Sequence, residues 1–193
     1  MLIDDKNKFI FIHIPKNAGS SITQSLMQHG GKKLKEYDTH VPCTTLKDSH
    51  ENEFNSYFKF AFVRNPWDRL YSMYKFTVRR GWCSKDVPFN KWIYKDAITE
   101  ACKFQEPIVP IQQKPQVDWI TDTDGNIMVD FVGKFETLNQ DFKHVCQQLN
   151  ITLSLVNINA SPGKHYKDAY DEGSKQFVEN HYKKDIEMFK YVF

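Results

Sequence analysis

The sequence predicts an α/β domain with a mostly parallel central sheet flanked by helices. Three observations carry this. Residues 8–14 and 57–63 are short runs rich in Phe, Ile and Val, apolar on both faces as buried strands are. Each precedes a stretch whose apolar residues recur every three or four positions. The same strand-then-helix order returns after residue 128. A length of 193 residues suits one domain spanning 1–193.

The first strand, Lys-Phe-Ile-Phe-Ile-His-Ile (8–14), is bounded by Pro15. Small residues follow, Asn17-Ala-Gly-Ser-Ser21, then a helix to about His29 with Ile22 and Leu26 inward and Gly30-Gly31 as its stop. The second strand is Tyr57–Val63. Asn65 reads as an N-cap, Pro66 as the first helical residue and Asp68 as a first-turn acid. Trp67, Leu70, Tyr71, Tyr74 and Val78 form the inward stripe of that helix, which runs to about Arg79. Residues 81–120 read as irregular, with helix around 89–104. Asp122-Thr-Asp-Gly-Asn126 is a turn; its Gly comes two positions too early for a calcium loop. Met128–Phe135 reads as a strand, and Leu138, Phe142, Val145 and Leu149 mark a helix. Phe177, Val178, Tyr182, Ile186 and Phe189 predict one amphipathic helix over 173–190.

Composition narrows the function classes. Hydrophobic residues are 40% and aromatic residues 15%, enough for a sizeable core, which excludes disordered and collagen-like chains. A formal net charge of +2 gives no global field directed at nucleic acid or a membrane. Cys43, Cys83, Cys102 and Cys146 form no C-x-x-C pair, so buried reduced thiols are expected and a metal is not. Two glycosylation sequons, at Asn150 and Asn159, matter only in a secretory protein. No signal peptide and no apolar run near the ~18 residues of a membrane span is visible, so the expectation is a soluble, cytoplasmic protein.

Two segments carry chemistry. In Ile12-His-Ile-Pro-Lys-Asn-Ala-Gly-Ser-Ser-Ile22 a buried strand runs through a tight loop into a helix. Small residues let backbone N–H groups approach an anion, the helix start adds partial positive charge, and Lys16 adds a full one. This is a phosphate cradle, or else an ordinary strand–turn–helix with capping serines. It is not the G-x-x-x-x-G-K-[ST] loop, because Lys16 precedes Gly19. In Phe60-Ala-Phe-Val-Arg-Asn-Pro-Trp-Asp-Arg-Leu-Tyr-Ser-Met-Tyr74, Arg64 stands at the carboxyl end of a strand, where open α/β sheets place their ligand crevice. Ser72 lies about two turns into the next helix. Arg64 by its fork and Ser72 by its hydroxyl could hold a second phosphate, or the arginines could simply be solvated. The Arg residues of the chain, Arg64, Arg69, Arg79 and Arg80, all fall between positions 64 and 80; elsewhere the basic residue is Lys.

The pair HIPKNAGSS and FVRNPWDRLYS resembles the sulfotransferases that use 3′-phosphoadenosine-5′-phosphosulfate (PAPS), in particular the carbohydrate O-sulfotransferase branch. VDFVGKFETLNQDF and NINASPGKHYKDAY extend the likeness toward the carboxyl end. The resemblance implies a P-loop-NTPase-like sulfotransferase fold, PAPS as donor, 3′,5′-ADP as product, no metal, and a hydroxylated acceptor, expected to be a glycan or polysaccharide. It implies that Lys16 contacts the 5′-phosphosulfate and stabilises charge on the bridging oxygen, with Asn17, Ala18, Gly19, Ser20 and Ser21 supplying loop contacts. Arg64 and Ser72 would take the 3′-phosphate, and Ser161 and Lys164 would close over the nucleotide, although the family more often has Arg in that stretch. No nucleic acid and no membrane span is expected. Animal relatives carry an anchor; a soluble microbial or viral enzyme is expected here, with a trimmed piece of a longer protein as the alternative.

Transfer to a hydroxyl needs a base, and His titrates in the useful range. His13 lies inside a strand and reads as core; His29, His50, His144 and His181 read as helix or loop residues. His40 precedes the Arg-bearing strand, where the carbohydrate branch places its base, and is the expected catalytic residue beside Lys16; Glu136 is the alternative site carboxylate. Trp82, Trp92, Trp119, Gln112 and Gln113 suit a sugar acceptor, a phenolic one, or simply a core. The competing readings are an ATP-using phosphotransferase and a non-catalytic nucleotide-binding protein of related α/β fold.

Overall fold

The computed structural model describes residues 1–28, 40–94, 114–156 and 165–193. Ser161, Lys164, Gln112, Gln113 and His29 lie outside them, as does the expected helix beyond residue 94. In chain order the elements are β1 (Leu2–Asp4), β2 (Phe9–Ile12), α1 (Gly19–Met27), α2 (Cys43–Ser49), α3 (Glu51–Ser56), β3 (Phe58–Val63), α4 (Pro66–Arg79), α5 (Phe89–Trp92), α6 (Val117–Ile120), β4 (Phe131–Lys134), α7 (Leu138–Gln148), α8 (Glu172–His181) and α9 (Lys183–Phe189). Short 3₁₀ turns occupy Phe135–Thr137 and Tyr166–Ala169. The chain divides into two compact units, Met1–Arg64 with Gln116–Ser161, and Asn65–Pro115 with Pro162–Phe193. Among the described residues no helix is long and apolar enough to cross a membrane.

The first unit holds the sheet, in the order β1-β2-β3-β4. β2 pairs with β3, and β3 with β4, in parallel, while β1 is antiparallel to β2. The α/β class with a mostly parallel sheet is therefore as the sequence predicts. Both faces of β2 are buried, which is why its sequence shows no polar alternation. Phe9, Phe11, Phe60 and Phe62 face one side and meet Ile22 and Leu26 of α1 and Phe142 and Val145 of α7. Phe60 is central to this layer, with ring centroids 5.9 Å from Phe9 and 5.3 Å from Phe11. Gly133 pairs with Phe62, and a Cβ there would press 2.5 Å from its ring, so only glycine leaves the ring its place.

Some elements differ from the sequence reading. β1 was not expected; the polar Asp-Asp-Lys-Asn stretch between two apolar runs was its available signal. Asp4 closes that turn by accepting from the backbone N–H groups of Lys6 and Asn7, each at 2.9 Å. The strand expected over 128–135 shortens to β4. Asp130 spends its carboxylate on the Lys59 N–H (2.7 Å) and its own N–H on the Lys59 carbonyl (2.8 Å), before the regular ladder begins. Helices α2 and α3 each bury only one or two side chains, Cys43 and Leu46 in one and Phe54 in the other, too few to print a periodic pattern. Burial pushes the Cys43 thiol up to about 12, so it stays protonated and acts as a small hydrophobe.

The second unit is built on α4. Asn65 caps it as expected, its side-chain oxygen accepting from the Trp67 N–H at 3.1 Å, with Pro66 in the first turn. Trp67, Leu70 and Met73 are buried. Phe89 meets Tyr74 edge-on and Trp92 meets it tilted, each with ring centroids 5.5 Å away. Tyr170 donates its hydroxyl to the Trp67 carbonyl at 2.8 Å. Arg69 is buried rather than solvated, donating to the Lys114 carbonyl at 3.1 Å. The tail helix expected as one piece is two, α8 and α9, broken at Tyr182, where φ is −107° and ψ 26°. No Gly or Pro marks the break. Tyr182 is buried beside the Arg69 guanidinium, so tertiary packing decides it. Phe177, expected in the stripe, is instead exposed on α8.

Asp171 opens α8 with a capping box, accepting from the Ser174 N–H at 2.8 Å and its hydroxyl at 2.6 Å. These bonds, with one from Asn90, hold its carboxyl down to about 2. A depressed carboxyl stabilises the fold above its unfolded pKa, and that contribution is lost as pH falls through the folded value. Asp171→Ala is therefore expected to lower the thermal midpoint at pH 7, with the gap from wild type closing between about pH 4 and 2. Calorimetry across that range checks it; a constant gap would contradict the cap.

Candidate functional site

The site lies in the first unit, where β2 and β3 end on the same side of the sheet. Beyond β2 the chain passes through His13, Ile14 and Pro15 and reaches two non-glycine residues in the left-handed region, Lys16 (φ 71°) and Ala18 (φ 61°). Each such residue costs on the order of 1–3 kcal/mol and persists only where its surroundings over-determine it. Alternating left-handed residues turn successive N–H groups toward one concavity, the arrangement that suits an anion. α1 begins directly after it, with no side-chain cap and no acidic residue in its first turn. Its first N–H groups have no partner within the helix.

Groups from outside the loop hold Asn17 and the Lys16 carbonyl. The Asn17 side chain is 1% exposed and donates to the Phe62 carbonyl at 2.7 Å and to Gln116 Oε1 at 2.8 Å. Its amide thus anchors the loop from within, leaving backbone groups as the contact surface. Arg64 Nη1 donates to the Lys16 carbonyl at 3.2 Å, and the Arg64 guanidinium lies 3.8 Å above the Phe135 ring. His40 Nδ1 donates to the His13 carbonyl at 2.8 Å. A carbonyl can only accept, so Nδ1 carries the proton, and in the neutral ring Nε2 is the lone-pair nitrogen. The His40 ring meets the His13 ring edge-on at 4.5 Å and the Trp119 ring at 6.2 Å.

A continuous line of contacts joins α1 to His40. A Cβ at Gly19 would collide with the His13 ring, so the helix start lies flat against that imidazole. His13 is indeed a packed residue of the strand end, yet its ring seats Gly19 and its carbonyl orients His40.

The structure thus brings together a strand-end loop with two left-handed residues, an arginine at the neighbouring strand end, and a histidine of defined tautomer. The pattern defining the family described as "Sulfotransferase family" matches residues 1–192. The chain belongs to the sulfotransferase family. Carbohydrate sulfotransferase 11 of Danio rerio is 27% identical over 75% of this chain and 51% of its own length. Carbohydrate sulfotransferase 9 of Homo sapiens is 24% identical over 98% of this chain and 52% of its own length. An uncharacterized protein of Archaeoglobus fulgidus is 25% identical over 59% of this chain and 86% of its own length. The chain thus spans about half the length of the two vertebrate proteins.

Other expected residues of this sulfotransferase-family chain are placed as follows. Ser20 is exposed and Ser21 buried at the start of α1. Ser72 is half-buried on α4, in the second unit. Glu136 is exposed in the turn after β4. Trp92 and Trp119 are buried, so neither offers an open face for stacking; Trp82 is half-buried against Phe76. Sequence reasoning missed Gln116 and Phe135. Phe135 had a signal, an aromatic at a strand end in the parallel neighbour of the Arg64 strand. Gln116 had none, because an isolated amide after Pro115 looks like any loop residue.

In a helix interior free of neighbours, Gly→Ala adds about 0.5–1 kcal/mol of stability. The His13 ring reverses that sign here. Gly19→Ala is expected to cost about 1–3 kcal/mol in urea unfolding. The His13→Ala/Gly19→Ala double variant should lose less than the sum of the singles; strict additivity would remove the contact argument.

Proposed function

We propose that this chain transfers a sulfuryl group from PAPS to a hydroxyl of a carbohydrate acceptor. The observation that carries the reading is the strained Lys16–Ala18 loop held against Arg64, with His40 oriented beside it. Family membership and the names of the two vertebrate relatives support sulfuryl transfer and a carbohydrate acceptor. The residues fit the donor. An uncapped helix start without acid, a cationic Lys16 and a guanidinium at the next strand end suit a ligand anionic at two places.

PAPS supplies an activated sulfuryl group with a phosphate as its leaving group. The chain's own residues do the rest. Backbone N–H groups of the loop and of Gly19, Ser20 and Ser21 bind the 5′ end. Lys16 stabilises negative charge that grows on the bridging oxygen as the S–O bond breaks. Arg64 holds the 3′-phosphate through its planar fork. His40 Nε2 accepts the proton of the acceptor hydroxyl, while Nδ1–H stays on the His13 carbonyl and shares the positive charge the ring acquires. Ser72, and beyond the described residues Ser161 and Lys164, are further donor contacts proposed on the motifs alone.

Radiolabel transfer from [³⁵S]PAPS to a glycan panel tests the reaction. Lys16→Ala is expected to lower kcat by about 10²–10³, and His40→Ala by about 10²–10⁴, with loss of the acid-side fall in rate that protonation of the base produces. Full activity in Lys16→Ala would sink the mechanism. In a separate thermal-shift experiment, 3′,5′-ADP should stabilise by about 2.7 kcal/mol at a hundred times its Kd. ATP should do so less, and Arg64→Ala should erase the preference; a preference for ATP would turn the reading toward phosphotransfer.

A further inference from the structure

We propose that Gln116 is a positioning residue that locks the anion loop and Arg64 into one rigid donor-binding edge. The inference rests on the donor reading above and concerns a residue that neither motif contains.

Gln116 is 0% exposed and sits at the N-cap of α6 without capping it. Its side chain turns instead to the two motifs. Oε1 accepts from Asn17 Nδ2 at 2.8 Å and from the Arg64 backbone N–H at 2.9 Å; Nε2 donates to the Arg64 carbonyl at 2.8 Å. Both lone pairs of the oxygen are used. β3 pairs with β4 only as far as Val63 with Lys134. At the next residue the Gln116 amide takes the place of a ladder partner and satisfies both backbone groups of Arg64. The Arg64 backbone is thereby fixed one residue beyond the sheet, with its side chain turned to the Lys16 carbonyl and the Phe135 ring. The same oxygen reaches the loop through Asn17, so displacement of either motif strains the other.

The support behind Gln116 is stiff. Val117, Trp119 and Ile120 of α6 are all buried, and Trp119 reaches the His40 ring. Within this one short stretch, Gln116 therefore touches the loop and the Arg64 strand end, and Trp119 touches the histidine. A residue serving stability alone has no reason to distribute its bonds this way.

The test uses Gln116→Leu, close in volume and unable to hydrogen-bond. Hydrogen exchange should quicken in peptides covering residues 15–19 and 63–65 and stay unchanged in the β1–β2 turn. The KM for PAPS and the Kd for 3′,5′-ADP should rise at least tenfold, with the KM for the glycan unchanged. Asn17→Ala should weaken 3′,5′-ADP binding too, and the double variant should lose less than the product of the two factors, because the residues share one bond. A purely structural role predicts instead a lower melting temperature and a smaller active fraction, with an unchanged donor KM in the molecules that remain folded; that result overturns the proposal. If Gln116→Leu does not fold, Gln116→Asn, a shorter amide that cannot span both partners, is read by the same criteria. Should wild type bind no 3′,5′-ADP, the donor reading fails, and exchange alone decides: selective quickening at the two segments keeps the lock, and its absence removes it.

Discussion

Parallel pairing of β2 with β3 is the constraint from which the site follows. Parallel strands end on the same edge of the sheet, so the segments leaving Ile12 and Val63 must emerge together. A register in which Phe9 faces Phe58 and Ile12 faces Ala61 puts Arg64 alongside the residues after His13. Slip by one residue would move the Phe9, Phe11, Phe60 and Phe62 layer out of the core and Arg64 away from the loop. The apolar layer and the polar edge therefore depend on one another.

The loop itself is costly and is kept by what surrounds it. Two non-glycine residues in left-handed geometry, a buried asparagine and a buried glutamine would each destabilise the chain if left unsupported. They are supported in pairs. Asn17 binds the Phe62 carbonyl and Gln116; Gln116 binds both backbone groups of Arg64; Arg64 returns to the Lys16 carbonyl. The circuit closes on the residue that carries the strain. Such a network is rigid because removing one member strands the buried polar groups of the next.

His13 is a core residue that also orders two neighbouring segments. Its ring is buried, stacks on Phe11 at 5.7 Å and fills the space that glycine leaves at position 19. Its carbonyl sets the tautomer of His40. A strand residue thus fixes the start of α1 by its side chain and the histidine by its backbone.

The α/β class, the inner strands, α1, α4 with its Asn65 cap, and α7 were legible in the sequence, because each is specified locally: apolar on both faces, apolar every third or fourth position, or a capping side chain before proline. Lys16, Gly19 and Arg64 could be singled out because residue types suited to an anion stand there at strand ends, and His40 because the family resemblance pointed to its interval. Other features had no local signature. The break at Tyr182 comes from a tyrosine packed beside Arg69, the burial of Trp92 and Trp119 from neighbours distant in sequence, and the edge strand β1 from a pairing too short to stand alone. Gln116 was invisible for the same reason. A glutamine bonded across 52 residues to Arg64 and 99 to Asn17 has no periodicity to betray it. Residue type and spacing determined which groups could do the chemistry; only long-range packing decided which of them meet, and what holds them there.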